Sequence, residues 1–264
     1  TLFPAVATKT FGQGARAVTV GVIGVTLRET PSLVTPSGVG GLRFEDEADT
    51  VNAWVPRLRA QGADVIVVAI HQGGETTGGA NDVACKGLSG PIVPILERLD
   101  PSIDVVLTGH THRAYACDYR LRNPAKSFLV TSAGQYGTLV TDIDIEFETH
   151  ARKLTRKTAV NRVVSAAADA PLATALPDQV ATLVARYARE AEPLARRVVG
   201  RIAADFDRVL SGSGESVLGN AVADAQWHAT REARAGGADL ALMNPGGLRA
   251  DLLRDPHTGN LTYA

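Results

Sequence analysis

Three of the six histidines stand directly after apolar stretches that predict buried strands. His71 follows the run 64–70, and His110 and His112 follow the run 103–108 in the sequence Gly-His-Thr-His. Sites in open α/β sheets form at the carboxyl ends of strands, so two neighbouring strands would bring the three imidazoles into one crevice. Imidazole is the most common metal ligand and suits zinc, manganese, iron, nickel and copper. We therefore predict that His71, His110 and His112 are metal ligands.

The histidines alone leave the number of metal ions open. A single histidine after a strand is more often a hydrogen-bonded loop residue, and only the joint position of the three favours metal binding. They could form one zinc site with an open position for water, or half of a two-metal site that also needs carboxylates. None of the nearby carboxylates has a convincing position for this role, namely Glu75, Asp82, Asp104 and Asp118. The remaining histidines are predicted to be surface or packing residues, namely His150, His228 and His257.

Hydrophobic patterns in the first half of the chain predict the elements that would position these histidines. The predicted strands are residues 18–26, 64–70, 103–108, 128–131 and 138–147, and the predicted helices are residues 45–60 and 91–99. An order of strand, helix and strand implies a sheet that is covered by helices. We therefore expect an α/β fold, which is α+β in detail because strand 138–147 alternates apolar and acidic residues.

The second half of the chain has a different composition and a second strand-helix-strand unit. Residues 163–176 are rich in alanine and predict a linker, and residues 178–197 predict an amphipathic helix. The second unit consists of predicted strands at residues 197–202 and 239–243 and a predicted helix at residues 215–234. The expected domains are residues 1–165, a linker and inter-domain helix at 166–197, and a second α/β domain at 198–264.

The charge and hydropathy of the chain bear on whether it binds nucleic acid or crosses a membrane. The net charge of -1 over 264 residues gives no strong field, so we expect no nucleic-acid polymer as a partner. No apolar run reaches the roughly 18 residues of a membrane helix, so we expect no membrane span. The amino terminus lacks the basic region of a signal peptide, which indicates a mature chain, a cytosolic chain or a fragment.

Four motifs carry a resemblance to a known family. The sequence His71-Gln72-Gly73-Gly74, followed by Gly109-His110-Thr111-His112, resembles the later metal-binding motifs of calcineurin-like metallophosphoesterases. Residues 215–225 and 243–249 are similar to signature segments of the 5'-nucleotidase C-terminal domain. The resemblance implies part of a metallophosphoesterase β-sandwich flanked by helices, then a linker helix, then part of a second α/β domain.

The resemblance implies a role for each matching residue. His71 and His110 would bind one divalent metal ion and His112 a second, with Mn, Zn, Mg and Ca not distinguished. The substrate pocket would be lined by Asn244, Gly246, Gly247 and Arg249. Arg249 would contact the phosphate, since its planar guanidinium matches phosphate oxygens. Taken without the resemblance, Asn-Pro-Gly-Gly predicts a plain turn, and the helix at 215–225 predicts core packing.

Other motifs of the family do not occur at the start of this sequence. The family begins with Asp-x-His, Gly-Asp and Gly-Asn-His-Glu, whereas Asp255-Pro256-His257 matches the first of these by letter only. We therefore expect a fragment of a longer gene product, or a product whose other parts lie outside this sequence.

The implied activity is metal-dependent hydrolysis of nucleotide phosphate monoesters by a metal-activated water. Three alternatives stay open. The substrate could be a 2',3'-cyclic phosphodiester or a nucleotide sugar. The chain could be a non-catalytic piece that binds metal or nucleotide. It could also be a hydrolase with a single zinc ion.

The resemblance extends to the two cysteines. In some secreted bacterial members, a Cys-x-Gly-x-Ser-Gly-Pro-Ile segment occurs together with a cysteine just past Gly-His-Thr-His, and the matching residues are Cys85 and Cys117. The resemblance therefore implies a disulfide between them, whereas the alternative is two reduced, buried cysteines. It also implies a bacterial protein that is secreted or held in the cell wall or periplasm.

Overall fold

The computed structural model describes residues 4–164 and 178–263, which fall into two compact units. The predicted linker residues 166–177 lie outside the described residues. In the first unit, the main strands are β1 Val6–Phe11, β2 Val18–Val25, β3 Val65–Ile70, β4 Val105–Leu107, β5 Ala114–Asp118 and β6 Leu129–Ala133. They form one sheet in the order β1-β2-β3-β4-β6-β5. Strands β2, β3, β4 and β6 run parallel, and the edge strands β1 and β5 are antiparallel to their neighbours.

Apolar sequence runs explain why the central strands are buried. Strand β3 has the sequence Val-Ile-Val-Val-Ala-Ile, and most of its residues are buried. The helices of this unit are α1 Thr30–Leu33, α2 Glu47–Ala60 and α3 Ile92–Arg98. Helix α2 begins after Asp46, whose side chain accepts a hydrogen bond from the backbone N–H of Asp49 at 3.0 Å. Its apolar side packs on β2 and β3, so the expected sheet covered by helices is confirmed.

A long hairpin forms a second, separate sheet in the first unit. Its strands are β7 Leu139–Glu148 and β8 Lys153–Val163, and it packs against β5 and β6. Asn161 of β8 is buried and donates hydrogen bonds to the carbonyls of Ala80 and Ser132. Asn161 therefore ties the hairpin to the loop that follows His71.

The second unit is smaller and more exposed. It contains helices α4 Asp178–Ala195 and α5 Val217–Thr230 and a two-stranded sheet of β9 Val198–Arg201 and β10 Asn260–Thr262. The predicted strand at 239–243 is wrong, because these residues pair with no strand among those the structure describes. Leu240 and Leu242 are 69% and 85% exposed, so these apolar side chains are not buried as those of a core strand would be.

No helix of residues 4–164 or 178–263 is long and apolar enough to cross a membrane.

Candidate metal centre

The parallel strands bring the predicted histidines to one edge of the sheet. His71 directly follows β3, and its backbone N–H donates to the carbonyl of Val25 at the end of β2 at 3.1 Å. His110 follows β4, the neighbour of β3. The ring centroids of His71 and His110 are 5.1 Å apart, with an angle of 65° between the ring planes. The structure therefore places two of the three predicted imidazoles, those of His71 and His110, side by side at the carboxyl edge.

The Gly-His-Thr-His loop has a strained backbone. His110 and His112 have φ angles of 68° and 59°, which lie in the left-handed region. This conformation costs roughly 1–2 kcal/mol for each residue with a side chain, and it persists only where the surroundings hold it. Strained residues of this kind cluster at functional sites. The strain in this loop thus supports a functional role for its histidines.

The electrostatic surroundings favour the neutral form of His110. Burial lowers the pKa of His110 below its usual value of 6.5, and the neighbouring His71 and His112 lower it further. The carboxylate of Glu29 opposes this effect. Only the neutral imidazole has a free lone pair for a metal ion, so His110 at neutral pH is in the form that can bind one.

Glu29 is a charged neighbour of His110 that the sequence did not point to. It lies four residues beyond the end of β2, at the same edge of the sheet. The only sequence signal for Glu29 was its position after a predicted strand. The residues between Val25 and Glu29 weaken that signal, because Glu29 does not follow the strand directly. Two of the nearby carboxylates that the sequence left without a convincing position make other contacts. Glu75 lies 3.5 Å from Arg113, and Asp104 accepts from the backbone N–H of Ile66 at the opposite end of β3.

The histidines fit part of a metal centre. The ring centroid of His112 lies 6.2 Å from that of Tyr136. Within residues 4–164 and 178–263, no group of three or more His, Cys, Asp or Glu side chains is arranged to hold a metal ion. Two adjacent imidazoles, one with a lowered pKa, are nevertheless a donor set that suits a divalent transition metal.

The predicted substrate residues form a tight turn in the second unit. The side-chain oxygen of Asn244 accepts a hydrogen bond from the backbone N–H of Gly246 at 3.0 Å and caps a short 3-10 helix, Pro245–Gly247. Arg249 is exposed, and no residue in the described part of the chain pairs with its guanidinium. The guanidinium of Arg249 is thus available to an anion.

A cavity of about 320 Å³ opens between this turn and helix α5. The turn contributes Met243, Pro245 and Leu248 to its lining, and α5 contributes Asn220 and other residues. None of the four residues predicted to line the substrate pocket lines this cavity, although each is adjacent in sequence to Met243, Pro245 or Leu248, which do. Their role in substrate binding stays a prediction.

The disulfide between Cys85 and Cys117 is present, so that prediction is confirmed. The two Cα atoms are 5.2 Å apart, and both residues are buried. The bond fixes the loop after His71 to strand β5, which begins two residues after His112. It therefore links the two segments that carry the predicted ligands.

Comparison with known proteins shows which family and which solved structures this chain is similar to. Residues 198–264 match the family model of the 5'-nucleotidase C-terminal domain. The resemblance to the 5'-nucleotidase family is confirmed. The structure aligns with a 5'-nucleotidase precursor from Thermus thermophilus with a TM-score of 0.63 and 22% identity, over 99% of this chain and 48% of that one. At this identity the alignment establishes the fold, which is the α/β fold expected for the family.

Two curated relatives also align with the chain. Endonuclease YhcR of Bacillus subtilis is 28% identical over 93% of this chain, and cell wall protein Lmo0130 of Listeria monocytogenes is 30% identical over 89% of it. The chain spans 18% of the length of the first relative and 30% of the second. Because the chain covers less than a third of each relative, the activity of the whole relative is not assigned to this chain.

Proposed function

We propose that this chain takes part in metal-dependent hydrolysis of nucleotide phosphate monoesters, as in the 5'-nucleotidase family. The observation that carries the proposal is the pair of His71 and His110 at the carboxyl edge of the sheet, in a chain whose residues 198–264 match the 5'-nucleotidase C-terminal domain. We propose the domain division at 1–165, 166–197 and 198–264.

Each residue has a proposed role in binding. His71 and His110 would hold one divalent ion, and His112 would contribute to a second. Such ions supply Lewis-acid chemistry and lower the pKa of bound water. The unpaired guanidinium of Arg249 would bind phosphate oxygens through its planar fork. Asn244, Gly246 and Gly247 would shape the pocket beside it, since the two glycines carry no side chain and allow a close approach by substrate.

A second candidate function is the hydrolysis of a phosphodiester. It is favoured by the relative that is named an endonuclease, since cleavage of a diester uses the same attack on phosphorus.

The disulfide and the similarity to a cell wall protein support a secreted or cell-wall location for the protein.

A substrate panel separates the two functions. With Mn²⁺ present, we expect phosphate release from 5'-AMP to exceed cleavage of 2',3'-cyclic AMP, a nucleotide sugar and single-stranded DNA. Faster cleavage of DNA or the cyclic diester would replace the monoesterase proposal with the phosphodiesterase.

The same assay tests Arg249. Because a hydrogen bond to a charged group contributes about 1.5–3 kcal/mol, we expect Arg249→Ala to lower kcat/KM for 5'-AMP by about tenfold or more. The matched control is Arg234→Ala, which removes an exposed arginine paired with Glu232 in the same unit. Equal kcat/KM values for the two variants would remove Arg249 from the proposed site.

A further inference from the structure

A threonine between the two strained histidines connects their loop to the loop of His71. The hydroxyl of Thr111 donates a hydrogen bond to the carbonyl of Gly74 at 2.8 Å. Its backbone N–H donates to the carbonyl of Gly109, also at 2.8 Å. Thr111 thus holds both its own left-handed loop and the segment three residues beyond His71.

A buried tyrosine holds the same glycine from its other side. The backbone N–H of Gly74 donates to the hydroxyl of Tyr115 at 3.3 Å, and that hydroxyl lies 2.6 Å from the hydroxyl of Thr108. Because Thr108 donates its own proton to the carbonyl of Thr131, the proton of Tyr115 is directed to Thr108. Tyr115 is 1% exposed, and burial raises the pKa of its hydroxyl, which therefore keeps its proton at neutral pH.

These contacts converge on the short segment after His71. Both polar backbone groups of Gly74 are bound, one by each hydroxyl, and the carbonyl of Gln72 accepts from the N–H of Gly109 at 3.1 Å. The bonds of Thr111 and Gly109 cross from the loop after β3 to the loop after β4, and the bond of Tyr115 joins the loop after β3 to strand β5. The separation of the two imidazoles is therefore set by this group of bonds as well as by the sheet.

We propose that Thr111 and Tyr115 are positioning residues that hold His71 and His110 in the geometry of a metal-binding pair. The inference rests on the proposed function of the histidines. Neither hydroxyl would contact metal or substrate. Each would act through the backbone of the loops, as residues behind metal ligands do when they fix ligand orientation.

Metal affinity of the whole 264-residue chain tests this inference directly, with Ni²⁺ as the probe in calorimetric titrations. Loss of a group that orients metal ligands typically costs roughly 10–100-fold in affinity, so Thr111→Val and Tyr115→Phe should each weaken Ni²⁺ binding by about that factor. Thr111→Ser keeps the hydroxyl and should bind Ni²⁺ with the affinity of the wild type. The matched control is Thr155→Val, which removes a threonine hydroxyl that donates to the carbonyl of Glu146 at 3.1 Å in the hairpin.

Other results would overturn the inference. The first is wild-type affinity for Ni²⁺ in Thr111→Val or in Tyr115→Phe. The second is a loss of affinity in Thr111→Ser. The third is a wild-type chain that shows no Ni²⁺ binding beyond that of His110→Ala. Failure of the proposed function gives a different result: the affinities change as expected, but the chain releases no phosphate from 5'-AMP. A thermal unfolding curve for each variant separates loss of positioning from loss of the fold.

Discussion

Gly73→Ala, in the loop after His71, should destabilise the first unit strongly. A Cβ atom at this position would overlap the carbonyl oxygen of Gly109 and lie 2.7 Å from the hydroxyl of Thr111. The first of these atoms belongs to the backbone of the strained histidine loop and cannot move aside alone. Overpacking of this kind costs about 1–3 kcal/mol and occasionally more, so we expect about 3 kcal/mol.

Calorimetry measures this effect as a lower unfolding temperature. A loss of about 3 kcal/mol corresponds to roughly 6–12 °C for a unit of this size. The matched control is Gly79→Ala in the same loop, where an added Cβ has no atom within 4 Å and φ is not in the left-handed region. If both variants unfold at the same temperature, the two histidine loops are not packed as the structure shows.

Removal of the disulfide should have an effect of similar size. The cysteines are 32 residues apart, and the chain-entropy relation gives about 3–4 kcal/mol for a loop of that length. The double variant Cys85→Ala and Cys117→Ala should therefore lower the unfolding temperature of the first unit by on the order of 10 °C.

Two further measurements check the disulfide. The unfolded, unreduced chain should contain no free thiol, and reduced wild-type protein should unfold close to the temperature of the double variant. Two titratable thiols, or a double variant as stable as the oxidised wild type, would contradict the bond or its contribution.

The elements that the sequence predicted well are those with strong local patterns. Strand β3 and helix α2 follow from a continuous apolar run and from apolar residues at helical spacing, and the structure places both close to the predicted bounds. The adjacency of His71 and His110 also followed, because parallel neighbouring strands end at one edge. These features depend on local sequence and on one general property of parallel sheets.

The features that could not be predicted from sequence depend on pairing across the fold. Residues 239–243 have the apolar pattern of a strand, but a strand also needs a hydrogen-bonded neighbour, and the described residues provide none. Strand β8 is rich in polar residues, and it is a strand because β7 pairs with it. The left-handed backbone of His110 and the hydroxyl contacts of Thr111 and Tyr115 likewise arise only when two loops meet.

Phosphate release from 5'-AMP by the purified chain in the presence of Mn²⁺ tests the proposed role of the histidine edge most directly. The proposed role predicts release that requires Mn²⁺, is lost in His110→Ala and is retained in His150→Ala, which alters an exposed histidine in the turn between β7 and β8. Release that His110→Ala leaves unchanged would contradict it, and so would the absence of any Mn²⁺-dependent release.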